Sequence, residues 1–368
     1  MTRVILIEPI LPHYREDVFK ILSETEGMKL IFVAGYDYQG IKSLYPDNGS
    51  LFKYLSFNLF GHRFYFLKAA VRYIRFQNPD IIICTGVDFH LIHTLIIFFV
   101  QRILRGRKFY WWSHAGKGHQ GRLGFLLRRI VYKNSSGIMT YNSEGKNNLL
   151  AMGISMKRIE VVNNSVNRID YGFLNYDLFQ KKSNPTFSLI YSGRVSKSKK
   201  VDMLIKALGK IKFSHQFNFK CYIIGDGDID LLKLLSQENN VYDNIHFVGA
   251  KYGQDNHRYF LESDLFVYPG GIGLSILHAM SFGLPVITTD DMKCHGPEFE
   301  LMLPGINGSV FEDNSIEDLA EKIMYWKTKI ENSRDEIIQS CINRIRNLGY
   351  LPEEVGKKVV EFILEDSY

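Results

Sequence analysis

The apolar positions of this chain follow two alternating rhythms. Short runs rich in β-branched and aromatic residues recur through the first half: Val4–Glu8, Leu30–Ala34, Ile81–Cys84, Phe109–Trp112, Gly137–Tyr141 and Ile159–Val162. Each is too short for a helix and reads as a buried strand, and most are separated by segments with apolar residues at helical spacing. The second half repeats the plan with Phe187–Tyr191, Lys220–Ile224, Asn244–Val248, Asp264–Tyr268 and Pro285–Thr288. Its first helical segment carries Val201, Leu204, Ile205, Leu208 and Ile211 on one face. After Asp313 the pattern is helical to the end. Alternating strands and helices predict parallel sheets covered on both faces, an α/β architecture of two Rossmann-like, doubly wound domains.

The stretch from Asn163 to Thr186 has no sustained period and is rich in Asn, Ser, Lys and turn formers, so the domain boundary falls there. The expected division is a first domain over 1–170, a linker over 171–186, a second domain over 187–350 and a last helix over 351–368 that crosses back to the first. Two such domains facing one another leave a cleft at the carboxyl ends of their strands, where ligands of these sheets bind. The 368 residues suit two domains. The apolar run Leu95–Val100 is far shorter than a membrane-spanning helix, and the first residues lead directly into a strand rather than a signal peptide. Cys84, Cys221, Cys294 and Cys341 lack metal or redox spacing, and a reduced, cytoplasmic protein is the expectation.

Charge changes this picture in one respect. The formal net charge of +6 divides into +10 over residues 1–180 and −4 over the remainder, and residues 51–150 hold 15 Lys and Arg against 3 Asp and Glu. Basic and aromatic residues alternate in "HRFYFLKAAVRYIRF" and "GRLGFLLRRIVYK", read as helices that could lie on the inner face of an anionic membrane. The basic half contains no recognised nucleic-acid module, so nucleic acid is not an expected partner.

Three stretches of the second half carry candidate chemistry. In "YSGRVSKSKKVDMLIKAL" a strand ends at Gly193, and Arg194 with Lys199 or Lys200 precedes a helix, an arrangement that suits a pyrophosphate. In "CYIIGDGDIDLL" Gly225 and Gly227 permit a tight turn, with Asp226 or Asp228 as a helix cap. In "DLFVYPGGIGLSILHAMSFGLPVITTD" Gly270, Gly271 and Gly273 flank Ile272 and bring backbone amides near a ligand. The helix that follows favours an anion at Leu274 and Ser275. The turn and helix from Gly270 to Met280 contain no Asp or Glu. His90 and His93 share a helix face without further ligands, and no metal site is expected.

In order and spacing, "GRVSKSKKVDMLI", "IIGDG", "NIHFVGA", "SDLFVYP", "GLSILHAMSFGLPVI" and "PGINGSVFED" resemble the nucleotide-sugar-dependent glycosyltransferases of family 4, which have the GT-B fold. In the first half the likeness is looser and rests on "EPILPHYREDVFKIL", "WWSHAGKG" and "VVNNSVN". The resemblance implies a retaining transfer of a hexosyl or deoxyhexosyl group from a UDP-, dTDP- or GDP-linked sugar, without a metal or other cofactor. The expected acceptor is a glycan, carried on a polyprenyl diphosphate, in surface polysaccharide synthesis. It makes Arg194 and Lys199 the phosphate-binding cations, and it puts the donor on Gly193, Gly225, Gly227, the Gly270–Ser275 loop and His278. It assigns His114 to the donor sugar, with Lys117 and the Gly116/Gly118 pair beside it, and His13, Tyr14 and Arg15 to the acceptor side. This sequence departs from the family at two positions: Gly270 and His278 stand where the family carries glutamates for the sugar and the ribose. A neutral imidazole at 278 can donate and accept a hydrogen bond, which suffices for a ribose hydroxyl. The missing carboxylates motivate one rival reading, a non-catalytic nucleotide-sugar binder; a second rival is a sugar epimerase, a chemistry that also occurs on the GT-B scaffold but needs acidic residues in the cleft.

Overall fold

The computed structural model describes residues 1–38, 41–59, 61–115, 122–174, 186–215 and 217–365. The chain divides into two compact units, Met1–Asn167 with Leu351–Tyr368, and Arg168–Tyr350.

In the first unit one sheet contains seven strands, β1 Thr2–Glu8, β2 Met28–Gly35, β3 Gly49–Phe52, β4 Ile81–Thr85, β5 Lys108–Ser113, β6 Gly137–Thr140 and β7 Ile159–Val161. They pair in parallel in the order β7-β6-β5-β4-β1-β2-β3. The helices are α1 Glu16–Ser23, α2 Lys68–Gln77, α3 Ile92–Phe98, α4 Arg122–Asn134 and α5 Ser143–Ala151. Successive side chains of a strand point to opposite faces, and here each face has its own core. Val4 and Leu6 of β1 join one, with Phe32, Ile83 and Trp112. Ile5 and Ile7 join the other, with Val33, Cys84 and Trp111. Burial on both faces is why these strands read as continuous apolar runs rather than as alternation.

The structure departs from the expected helix over "HRFYFLKAAVRYIRF". His62–Phe66 is a strand, paired antiparallel with Leu55–Leu59, and only Lys68–Gln77 is helical. Alternating aromatics favour the pleated form, and Phe64 stacks on its cross-strand neighbour Phe57 with ring centroids 5.6 Å apart. β3 also escaped the apolar pattern, because this edge strand buries only Leu51 among its residues. No helix among the described residues is long and apolar enough to cross a membrane.

In the second unit six parallel strands, β8 Phe187–Ser192, β9 Phe219–Ile224, β10 Ile245–Gly249, β11 Leu265–Tyr268, β12 Val286–Thr289 and β13 Gly308–Phe311, form a sheet of order β10-β9-β8-β11-β12-β13. The helices are α6 Val201–His215, α7 Ile229–Glu238, α8 Gln254–Glu262, α9 Leu274–Ser281 and α10 Ile316–Leu348, the last bent at Ser333. The expected face of α6 is buried throughout, from Val201 to Ile211. The chain winds from β8 through β9 to β10, then returns to β11 and winds the other way. β8 and β11 therefore flank a topological switch point, whose carboxyl end is the natural ligand position in such sheets.

Residues 168–174 pack within the second unit. Tyr171 donates to the Tyr350 carbonyl, the Gly172 amide to Ser281 Oγ at 3.2 Å, and Ser281 Oγ lies 3.2 Å from the Asp170 carbonyl. Beyond Gly349, in a left-handed conformation that ends α10, the final helix α11 Pro352–Glu365 belongs to the first unit. Val355, Val359 and Ile363 complete the core beside α1, and Phe362 packs edge-on against Tyr110 at 5.6 Å. We expect Ile363→Ala to lower the stability of the first unit by about 2–5 kcal/mol in denaturant unfolding, the usual cost of truncating a fully buried aliphatic side chain.

Candidate functional site

The loops that follow β8 and β9 run against one another, main chain to main chain. The Gly193 amide donates to the Ile224 carbonyl at 2.9 Å and the Val195 amide to the Asp226 carbonyl at 2.8 Å. A β-carbon on Gly225 would lie 1.9 Å from the Gly193 carbonyl oxygen, and one on Gly227 1.8 Å from that of Val195. Both glycines also have φ near +145°, a region that side chains disfavour. Asp228 occupies the N-cap position of α7, but its side chain makes no capping bond, contrary to the sequence expectation for this turn. Arg194 is exposed at the tip of the first loop, and no described residue bonds or pairs with its guanidinium.

The two lysines left open by the sequence take different roles. Lys199 donates from Nζ to the Gly271 carbonyl at 2.6 Å and lies 5.0 Å from the centre of the Tyr268 ring. Lys200 turns to Asp313, whose carboxyl it holds below the usual range, with help from the Thr289 hydroxyl. Lys199 thus binds the loop after β8 to the glycine loop after β11. Gly270 is packed on the same segment: a β-carbon there would lie 2.4 Å from the Ser198 carbonyl oxygen and 2.7 Å from Lys199 Cα. No side chain fits at 270 in this backbone, so the absent glutamate leaves no vacant space.

Two residues that the sequence reading missed hold the glycine loop from the connection after β12. His295 is buried and accepts the Ile272 amide at Nδ1, 3.2 Å away, while Nε2 faces the Thr289 carbonyl at 2.9 Å. Those partners fix the neutral tautomer with its proton on Nε2. The Gly296 amide donates to the Ile272 carbonyl at 2.6 Å. Glu298, also buried, carries its carboxylate to within 3.7 Å of where a β-carbon on Gly273 would lie. α9 starts at Leu274 with no side-chain cap and no acidic residue in its first turn. The amides of Leu274 and Ser275 have no intrahelical acceptor, and the helix dipole adds to their preference for an anion.

His278 lies one turn further along α9. Its imidazole packs on Phe260 with ring centroids 4.4 Å apart, and on Phe282 and His257 at 5.3 and 6.2 Å. Burial, and secondarily His257, pushes its pKa down to about 3, so the ring is neutral. Burial lowers His257 as well. Asp170 completes a group of three whose ligand atoms all lie within 4.8 Å of one another. His90 and His93 diverge: His90 Nδ1 faces the Arg63 carbonyl at 3.2 Å, whereas His93 is buried beside Tyr54.

In the first unit, Arg15 is buried at the carboxyl end of the sheet. It reaches Glu8 at 3.3 Å and the Asn164 side chain at 3.1 Å, and its guanidinium lies over Trp112 and Tyr141. Burial pushes the Glu8 carboxyl above its usual range, and Arg15 opposes that rise. Arg15 thus anchors the turn that presents Tyr14 and the exposed His13, whose carbonyl accepts from Asn167 at 2.7 Å. His114 is exposed and sits 4.4 Å from the Tyr141 ring. Gly116, Lys117 and Gly118 lie outside the described residues. α4, helical as expected, leaves Leu123, Phe125, Leu126, Leu127 and Ile130 exposed beside Arg122 and Lys133.

Residues 177–344 match the family model for "Glycosyl transferases group 1". The lipopolysaccharide 1,6-galactosyltransferase of Salmonella typhimurium is 24% identical over 296 residues, 76% of this chain and 74% of that protein. Among solved structures, a glycosyltransferase from Rickettsia africae superposes with a TM-score of 0.75 at 17% identity, covering 99% of this chain and 98% of the other. HepE from Anabaena, solved in complex with UDP, gives 0.67 at 15% identity over 99% and 100% of the two chains. These likenesses show the fold, GT-B, with two Rossmann-like units.

Because His295 is the buried partner of both the Ile272 amide and the Thr289 carbonyl, we expect His295→Ala to cost about 1–3 kcal/mol in chemical denaturation of the second unit.

Proposed function

We propose that this chain is a glycosyltransferase of the family 4 kind, which transfers a hexosyl or deoxyhexosyl group from a nucleoside diphosphate sugar to a glycan acceptor with retention of configuration. The observation that carries the reading is the cradle at the switch point of the second unit. There Lys199 is tied to the glycine loop at 2.6 Å, and the uncapped amino end of α9 follows directly. Further support comes from the group 1 match, the galactosyltransferase relative and the UDP complex of the structural neighbour.

In this reading Arg194 and Lys199 neutralise the diphosphate, and the Leu274 and Ser275 amides take a phosphate oxygen. The bond from the anomeric carbon to the diphosphate oxygen breaks as the acceptor hydroxyl forms its bond to that carbon, and the departing phosphate accepts the hydroxyl proton. Stabilising charge on the leaving group is the main catalytic contribution. Gly193, Gly225 and Gly227 shape the floor, and Gly270, Gly271, Ile272 and Gly273 line the sugar end. The resemblance puts a carboxylate for the sugar at Gly270; Glu298 brings one to Gly273 from the following connection. His278 is turned into an aromatic pocket and takes no part in this set of donor contacts. From the first unit, His114 serves the donor sugar, and His13 and Tyr14 the acceptor. The reading includes no metal or other cofactor in the transfer itself.

The exposed apolar face of α4, flanked by Arg122 and Lys133, supports peripheral attachment to an anionic membrane and hence a polyprenyl-diphosphate-linked acceptor in surface polysaccharide synthesis. The non-catalytic binder is kept as the second reading because neither family glutamate is present at 270 or 278.

The test is a panel of UDP-, dTDP- and GDP-sugars, followed by thermal shift and then by nucleotide release. One donor should stabilise the protein and be slowly hydrolysed, with turnover reduced by about 10²–10³-fold in Arg194→Ala. Stabilisation without release, even with lipid-linked acceptors added, would favour the binder. For the membrane, sedimentation with anionic vesicles at low salt should be strong for the parent and weak for Leu126→Asp, which places a charge in the centre of the apolar face.

A further inference from the structure

The turn before the second sheet and the helices α8 and α9 bring together three side chains to which the transferase reading gives no work. His257 of α8 is only 8% exposed, and its Nε2 has no hydrogen-bond partner among the described residues. His278 of α9 is in the same condition at its own Nε2. Leaving such an atom buried and unpaired costs free energy, and here two occur on imidazoles whose ring centroids lie 6.2 Å apart. Asp170 adds a carboxylate oxygen, and the three ligand atoms all lie within 4.8 Å of one another. Phe260 packs against the His278 ring, and Phe282 against both imidazoles.

We propose that Asp170, His257 and His278 form a binding site for a zinc-like divalent transition-metal ion. Two neutral imidazole nitrogens and one carboxylate oxygen are the ligand set that zinc accepts, with a fourth position left for water or another oxygen. Ligand atoms around a tetrahedral zinc lie about 3.4 Å apart, given bonds of roughly 2.0–2.1 Å, so rotamer adjustments of about 1 Å close the group on an ion. Occupation satisfies both orphaned nitrogens and joins the Arg168–Asp170 turn to α8 and α9. The Ser281 hydroxyl, placed against the carbonyls of both Asp170 and His278, already holds two of the three ligand-bearing segments in register. This inference stands apart from the transferase reading, because its readout is metal binding alone.

The experiment uses the untagged full-length chain, stripped with chelator and titrated with CoCl2, whose tetrahedral complexes absorb in the visible. The expected result is saturation at one Co2+ per chain, displacement by ZnCl2, and a rise in thermal midpoint with Zn2+. His278→Gln and Asp170→Asn should each weaken Co2+ binding by at least about tenfold, on the scale by which metal-site lesions reduce affinity. If His278→Gln does not fold in the absence of metal, Asp170→Asn decides, because Asp170 lies half-buried in a short turn and its replacement conserves shape. The absence of saturable visible absorption in the parent overturns the proposal, and so does parental affinity in either folded variant.

Discussion

At the carboxyl end of the second sheet the main chain leaves no room for side chains, and the character of the candidate site follows from that crowding. Gly193 and Val195 present carbonyls where Gly225 and Gly227 would need β-carbons, and Ser198 and Lys199 do the same to Gly270. Loops packed at this distance expose amides and carbonyls rather than side chains. A surface of main-chain donors at a helix start is suited to an anion of fixed shape, and it needs few charged residues to select one. Lys199 is the exception that enters the crowded region, and it does so by bonding to the loop rather than by projecting past it.

The first unit solves a different problem. Its sheet also ends in a polar group, but Arg15 and Glu8 are withdrawn from solvent and satisfied by one another and by Asn164. A buried pair of this kind contributes little net stability, and removing one partner strands the other. What it supplies is position: the turn bearing His13 and Tyr14 is fixed to the end of β1 and to the segment that leaves β7. The two units therefore expose functional candidates by opposite means, one from crowded backbone and one from a buried charge that tethers a turn.

Much of this was legible in the sequence, for identifiable reasons. Strands buried on both faces appear as unbroken apolar runs, so β1, β4, β5, β8, β9 and β11 could be read directly. Edge strands such as β3 bury too little to show a pattern, and the Leu55–Phe66 hairpin was hidden because its aromatics also fit a helical spacing. The glycine loop and Lys199 were visible because the local order of residues carries them. His295 and Glu298 were not: the stretch "CHGPEFE" has no period, and only the three-dimensional return of the chain after β12 brings it against the loop. The arrangement of His257 beside His278 was invisible for the same reason, since α8 and α9 meet through packing and not through spacing.

The crossing of α11 back to the first unit has a consequence for the order of events in synthesis. The second unit is one continuous segment, whereas the first is assembled from residues separated by the whole of the second. A ribosome releases β1 through β7 long before Val355, Val359 and Ile363 exist to cover the face formed by Leu22, Tyr110 and Met139. During that interval the nascent first unit carries an open apolar seam. The second unit is itself complete only at Tyr350, directly before α11, so the core made first stays uncovered until the whole of the second unit has been made.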